Sequence, residues 1–337
     1  NKTRFKIRMS EDVEELQEVV VVAYGEAKAE DIVGSVDQVT AKELEGVQVN
    51  SFEQMLAGQA AGVQIRSGTG RPDGGGEILL RGVGTGGDNA PLLVIDGVAF
   101  GNYNSTTNNF LALVDPDDIE SVSVVRDASG AALYGSRAGN GLIIVTTKGG
   151  RKGKPRITFD ANTAVQTIPD FERPNILTAA ELAQFQQERF LDNGGDPDEI
   201  PEEFQNPKRY GRGTDWFDLI TQDAIRSKAS LSIRGGTDAV TYNVSAGYTD
   251  NDGIVKETNF KRYTFRANFN AEVTPWLKIG TIIAPSQTVS NVAGIDPGTG
   301  QFQAFHVMQV ARWADPSAPA YDENGNLTTT TRGDLLP

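Results

Sequence analysis

Three patterns in this 337-residue chain could do chemistry: acidic turns, glycine-rich loops, and a run of valines. The acidic turns are Asp250-Asn251-Asp252-Gly253 and Asp322-Glu323-Asn324-Gly325. Neither has the glutamate twelve positions from its first Asp that an EF-hand needs, so both read as turn chemistry. The glycine-rich loops at 68–76 and 82–87 do not fit G-x-x-x-x-G-K-[ST]. The second follows a strand but meets Pro91 and another strand where a dinucleotide-binding helix should open, so nucleotide binding is rejected. One histidine, His306, and no cysteine leave no material for a zinc cluster or a Ser-His-Asp triad. No catalytic residues, metal or cofactor are expected, and the chain does not read as an enzyme. A net charge of −14 argues against a nucleic-acid partner, which would want a basic face.

The third pattern is Glu18-Val19-Val20-Val21-Val22-Ala23-Tyr24. Consecutive valines favour a strand whose backbone groups need a partner. A buried core strand and an exposed handle captured by another chain both satisfy that need.

The elements that position these patterns are organised around residues 94–150. Asp115 caps a turn opened by Pro116, Ile119–Val125 reads as a β-branched strand, and Asp127 caps a helix over 128–134. Its small residues Ala128, Ala131 and Ala132 permit close packing. Gly135, Gly139 and Gly141 break it before a strand at 142–147, and Lys148-Gly149-Gly150 ends the unit. Upstream, strands are expected at 32–36, 63–65 and 77–81, with short helices at 41–45 and 51–57. Ser51 and Gln54 make a capping box for the second helix, and Phe52, Met55 and Leu56 its apolar stripe.

After residue 150 the period changes to two. Ile157, Phe159, Ala161 and Val165 alternate with Asp160, Asn162 and Gln166. The same code returns at 229–234, 240–248 and 263–273, with a further strand signal at 276–279 and aromatics toward the strand ends. Between them, 169–226 reads as an insertion holding a helix capped by Thr178 and Glu181. No run of 18 apolar residues forms a membrane helix, but barrel strands escape such a scan. Alternation alone fits a soluble sandwich as well as a barrel wall.

The contiguous residues VIDG and DPDDIESVSVVRDASGAALYGSRAGNGLIIVTTKGG resemble the plug domain of TonB-dependent outer-membrane transporters, specifically the SusC/RagA family of Bacteroidetes nutrient importers. The later segments GGT..TYNVSAGYTDNDGIV and FKRYTFRANFNAEVTPWLKIG resemble that family's first barrel hairpins. The resemblance implies an α+β plug domain followed by the first strands of a large antiparallel transmembrane β-barrel, 22-stranded when complete. By resemblance, 1–17 is the end of an N-terminal periplasmic extension, its signal peptide removed, and 18–25 is the TonB box. Residues 26–150 are then the plug, and 151–337 roughly five barrel strands with their loops. Only 187 residues follow residue 150, whereas 22 strands of about ten residues need about 220 before any loop. A closed barrel is therefore not expected from this chain.

The resemblance further implies partners and site residues. TonB, driven by ExbB-ExbD, would take residues 18–24 as an added strand, and a SusD-like surface lipoprotein would act as a lid, possible assemblies including a dimer of SusC–SusD pairs. The polar loops with Asp88, Asn89, Asn102, Tyr103, Asn104, Asn108 and Asn109 would face an oligosaccharide or an oligopeptide, though an ordinary solvated loop fits them too. Arg81, Asp96, Asp127 and Arg137 match the plug signature and are expected in structural ion pairs. A siderophore or cobalamin receptor, and a non-transporting glycan-binding module, remain as alternatives.

Overall fold

The computed structural model describes residues 19–22, 25–28, 36–41, 56, 58–67, 72, 76–80, 82, 89–102, 114–126, 132–291, 307–326 and 328. The expected elements at 32–35, 42–45, 51–55 and 128–131 lie outside these.

Apolar runs too continuous for a half-exposed strand build the first sheet. LLVI at β6 (Leu92–Ile95) and LIIVTT at β9 (Leu142–Thr147) run parallel in its middle and are buried on both faces, as parallel strands usually are. The sheet adds β3 (Val36–Thr40), β7 (Val98–Asn102) and β8 (Ile119–Val125) in the order β3-β8-β9-β6-β7. On one face Leu93, Ile95, Val122, Val124, Ile143 and Val145 pack with Leu56 and Ile78. On the other, Leu92, Val94, Leu142 and Ile144 meet Ala138. Two further ribbons are hydrogen-bonded separately from this sheet: β1 (Val19–Val22) with β2 (Gly25–Lys28), and β4 (Val63–Ser67) with β5 (Gly76–Leu80), the latter packing Ile78 and Leu80 into the first core. The break expected after the Asp127-capped helix falls at Gly135 (φ 66), inside a 3-10 stretch Ala132–Ala138.

The second sheet is long and antiparallel: β10 (Gly153–Gln166), β11 (Ala224–Gly236), β12 (Val240–Asp252) and β13 (Asn259–Thr274). Then β14 (Leu277–Ile283) and β15 (Ser286–Asn291) pair with successive halves of β13. They form one edge strand interrupted at Ala284-Pro285, where Phe265 N–H donates to Pro285 O at 3.0 Å. Five strand positions result among the described residues. Short turns at 237–239 and 275–276 close one end, and the long loops leave the other, as in outer-membrane barrels.

One reading is corrected here. Asp250, Asn251 and Asp252 are not a loop: β12 continues through Asp252, pairing Asp250 with Lys261 and Asn251 with Phe260. A cross-strand ion pair and a plug contact override the turn preference of these residues, since Asp250 meets Lys261 Nζ at 3.1 Å and Asn251 donates to Pro72 O of the plug at 3.0 Å.

The two faces of this sheet are inverted relative to a soluble protein. Asn243, Ser245, Thr249, Asn251, Arg262, Thr264, Arg266 and Asn268 are buried. Phe159, Leu231, Phe265 and Phe269, on the opposite face, are exposed, Phe159 to 67%. Tyr248 and Tyr263 pack with ring centroids 5.1 Å apart near the long-loop end, and Trp276 is exposed at the short-turn end. An apolar outer band with aromatics at both margins is what lipid requires. No second layer of strands covers it among the described residues.

At the long-loop end, Thr178 and Glu181 form both arms of a capping box on the helix Ala179–Asp192. A short helix, Trp216–Ile220, is held by Trp216 Nε1 donating to Asp315 O at 2.8 Å and Lys256 Nζ donating to Leu219 O at 2.8 Å.

Candidate functional site

The site is the contact between the first sheet's unit and the polar face of the wall. It begins at a two-residue turn. Asp96 (φ 47) and Gly97 (φ 83) both take positive φ between β6 and β7, the conformation of a tight hairpin that Asp-Gly favours. Asp96 is fixed there by Thr147, whose N–H donates to Oδ1 and whose hydroxyl donates to Oδ2, both at 2.8 Å. From the wall, Arg266 Nη1 reaches the same Oδ2 at 2.8 Å.

The turn Pro116–Asp118 supplies the next contacts. Asp115 caps it by accepting from Asp117 N–H at 3.0 Å, as its Asp-Pro sequence requires. Its carboxylate also faces the wall, with Lys228 Nζ at 3.1 Å and Arg262 Nη2 at 3.7 Å. Asp117 Oδ2 lies 2.8 Å from Lys228 Nζ and accepts from the Ser230 hydroxyl at 2.8 Å. Glu120 meets Arg234 Nη1 at 3.2 Å.

These contacts climb the wall in register. At the short-turn end, a side chain at Gly150 would collide with the backbone of Thr241 and Tyr242. One row up, Asn243 donates to Lys148 O at 2.9 Å beside the Arg234–Glu120 pair. Arg266 then takes Asp96, while Ser230 and Lys228 take Asp117 and Asp115. Gly247 leaves room for Asp115, because an added Cβ would stand 2.5 Å from its Oδ2. Asn251 closes the series at Pro72.

Buried charge shapes the protonation of this turn. Burial opposes ionisation of Asp117, but Lys228, Ser230 and Lys148 outweigh it and hold the carboxyl below the ordinary carboxylate range. Asp118 goes the other way: burial pushes its carboxyl up and neighbouring Asp115 adds to this, more than Ser245, Arg266 and Lys148 offset. An arrangement of this kind seats one body on another; it has no nucleophile and base in line.

Of the four signature charges, Asp96 carries the wall contact just described. Arg137 is exposed and forms no ion pair among the described residues. Arg81 and Asp127 lie outside them. For the expected TonB strand, the described part is Val19-Val20-Val21-Val22, paired with Gly25–Lys28; Glu18, Ala23 and Tyr24 lie outside. Asn89 precedes β6 and Asn102 ends β7, both at the end of that hairpin opposite Asp96, so the two loops leave the sheet together. Asp88, Tyr103, Asn104, Asn108 and Asn109 are not among the described residues.

Sequence reading missed the charged series itself. Asp115 read as a cap only, and no partner was assigned to Lys228, Arg234, Arg262 or Arg266. The available signal was a set of cations at period-two positions on a wall face opposite an acidic turn.

Comparison with known proteins agrees with this geometry. Residues 28–142 match the TonB-dependent Receptor Plug Domain. The TonB-dependent receptor SusC of Bacteroides thetaiotaomicron is 38% identical over 269 residues, 79% of this chain and 25% of that protein. The TonB-dependent receptor P26 of Formosa agariphila is 34% identical over 315 residues, 92% of this chain and 30% of that protein. Among solved structures, the RagAB peptide importer in its open-open state superposes with a TM-score of 0.71 at 28% identity, over 92% of this chain and 36% of that one. The chain thus spans less than a third of the length of these curated relatives. The plug-domain match and the likeness to SusC place the chain in the SusC/RagA family of TonB-dependent receptors, as a plug domain joined to the first part of its barrel.

Proposed function

We propose that the full-length protein imports a nutrient across the bacterial outer membrane, with energy delivered by TonB and ExbB-ExbD. The observation that carries this reading is the inverted wall: an apolar outer face, and a polar inner face paired by charge to a separate globular unit. A stopper inside a lipid-facing barrel needs that arrangement, and a soluble sandwich would bury the other face.

An outer membrane carries no energy source of its own, so force has to arrive through a handle. The segment with Glu18, Val19–Val22, Ala23 and Tyr24 suits capture as an added strand, because main-chain hydrogen bonds grip without a pocket. The two-stranded ribbon it forms is marginal by itself, which favours exchange of Gly25–Lys28 for a TonB strand. The loops around Asn89 and beyond Asn102 are assigned to substrate contact, and a SusD-like lipoprotein to the lid. The substrate is an oligosaccharide by first preference; the peptide named for RagAB makes an oligopeptide the second.

Deleting residues 18–24 in the full-length protein is expected to stop uptake while leaving folding and ligand binding intact. Unchanged uptake would end the mechanism. A protein that needs no detergent would favour the glycan-binding module instead, and the absence of a SusD-like gene beside this one would favour siderophore uptake.

A further inference from the structure

The outward face of the wall changes character along one row. Register sets Thr163 beside Ser227, Ser227 beside Asp250 and Asp250 beside Lys261, in line across β10 to β13. Strand alternation puts these four side chains opposite buried Thr249 and Arg262, on the face of Leu231, Phe265 and Phe269. Toward the short turns, the remaining outward positions of β11, β12 and β13 carry no charged residue. From Val240 to Tyr248 these positions rise about 20 Å at a barrel strand's tilt, close to the roughly 25 Å band that lipid demands. The row therefore stands at the margin of the apolar band, on the long-loop side.

Its groups are bonded to one another. Asp250 Oδ2 accepts from the Tyr248 hydroxyl at 2.8 Å and meets Lys261 Nζ at 3.1 Å, and the Thr163 and Ser227 hydroxyls lie 3.4 Å apart. Lys261 keeps further N–H donors, and the two hydroxyls keep acceptor capacity. Asp250 cancels the charge of Lys261, so the row offers hydrogen bonds without net attraction for an anion. One step down, register sets Ala161, Ala229, Tyr248 and Tyr263 side by side. Two methyl groups there, between Phe159 and Leu231 below and Thr163 and Ser227 above, leave a shallow depression beside Tyr248. Tyr263, packed on Tyr248, is 48% exposed.

Resting on the lipid-facing wall of the importer reading, we propose that this margin is a binding site for a glycolipid of the outer leaflet. Its sugar hydroxyls bond to Ser227 and Lys261 beside the Tyr263 ring, and one acyl chain enters the depression at Ala161 and Ala229. A sugar ring has an apolar face for an aromatic ring and hydroxyls for polar neighbours, and both are supplied here side by side. The occupant follows from position: the row continues the lipid-facing band directly, so the headgroups of that leaflet cover it.

The test uses full-length protein purified in detergent, lipid A as the probe and native mass spectrometry as the readout. The parent is expected to bind lipid A saturably, and lipid A stripped of its phosphates about as tightly. A229F fills the depression without removing a polar group, and D250L/K261L removes the pair without leaving a lone charge. Each is expected to weaken binding roughly tenfold. V240F, on the same face near the short turns, is expected to bind as the parent does. Parental binding by A229F or by D250L/K261L, or an equal loss in V240F, overturns the site. Binding that requires the phosphates, or phosphatidylethanolamine held as tightly as lipid A, overturns its ligand class. Uptake by the parent is measured alongside: a protein that transports but holds no lipid A sinks this site alone and leaves the importer standing.

Discussion

Arg266 and Asp96, 170 residues apart, meet at 2.8 Å and join the plug's tightest turn to the middle of the wall. Both side chains are nearly closed to solvent, at 7% and 13% exposure. Removing one partner of a buried pair leaves a charge without compensation, which costs more than the pair itself contributes. Arg266→Ala is therefore expected to weaken seating of the plug by about 3–5 kcal/mol. Adding Asp96→Asn should recover much of that loss, since Thr147 can still hydrogen-bond to the amide. Urea titration of the full-length protein in detergent checks both; a recovery smaller than the experimental error would count against a charge-based seat.

Asp117 and Asp118 give opposite pH dependences. The depressed Asp117 carboxyl stabilises the seated state at neutral pH, and that stability disappears as pH falls through its folded value. The raised Asp118 carboxyl opposes seating above its folded value, and acid relieves it. Asp117→Asn is thus expected to weaken seating at pH 7 by roughly 0.2–1 kcal/mol, with no effect in acid. Asp118→Asn should strengthen it at pH 7 by about 1 kcal/mol, a gain that shrinks as pH falls. Unfolding midpoints measured from about pH 1.5 to 8, a span reaching well below the ordinary carboxylate value of about 3.9, separate the two.

Much of this architecture is visible in the sequence because strand period reports directly on burial. Ile119–Val125 and Leu142–Thr147 are bounded by an Asp-Pro cap and by glycines, and both fall where those signals put them. Wall strands are equally plain, since lipid on one side and plug on the other impose strict alternation. What local pattern does not carry is partnership: Ser230 and Asp117 are 113 residues apart, and nothing near either names the other. Asp96-Gly97 is a hairpin signal that the sequence reading did not use. Asp250–Asp252 misled for the reverse reason, having turn-forming side chains in a place where Lys261 and Pro72 supply better partners.

The ribbon at the N-terminal end makes a different demand. Val20 pairs with Ala27, so a V20C/A27C disulfide would hold β1 to β2. If TonB replaces Gly25–Lys28 as the partner of the valines, the oxidised variant is expected to lose TonB co-purification and uptake, and reductant to restore both. Equal TonB recovery in both states would mean that TonB adds to the other edge of β1.

Close approach of plug and wall rests on two missing side chains. Gly150 lies against the backbone of Thr241 and Tyr242, and Gly247 against Asp115 and Thr264. Backbone cannot yield as a flexible side chain can, so Gly150→Ala is expected to be the more damaging, by about 1–3 kcal/mol. Gly247→Ala should cost less in general stability but displace Asp115 from Lys228. Its signature is a salt dependence of unfolding weaker than that of the parent, whereas Gly150→Ala should keep the parental salt dependence.

The lipid assignment of the outer face has its own test in β10, where adjacent residues point to different solvents. Phe159 lies on the exposed apolar side and Asp160 on the lumen side. Phe159→Arg near the middle of the bilayer is expected to cost about 2–4 kcal/mol in folding into membranes, because lipid cannot solvate the guanidinium. Asp160→Asn, one position along, exchanges one hydrated polar group for another and should be nearly neutral. Folding titrations in phospholipid vesicles compare them directly. In a water-soluble sandwich the order would reverse at an exposed site, since arginine at Phe159 would then improve solubility. Finding Phe159→Arg harmless in vesicles would therefore remove the membrane from this fold and the importer with it.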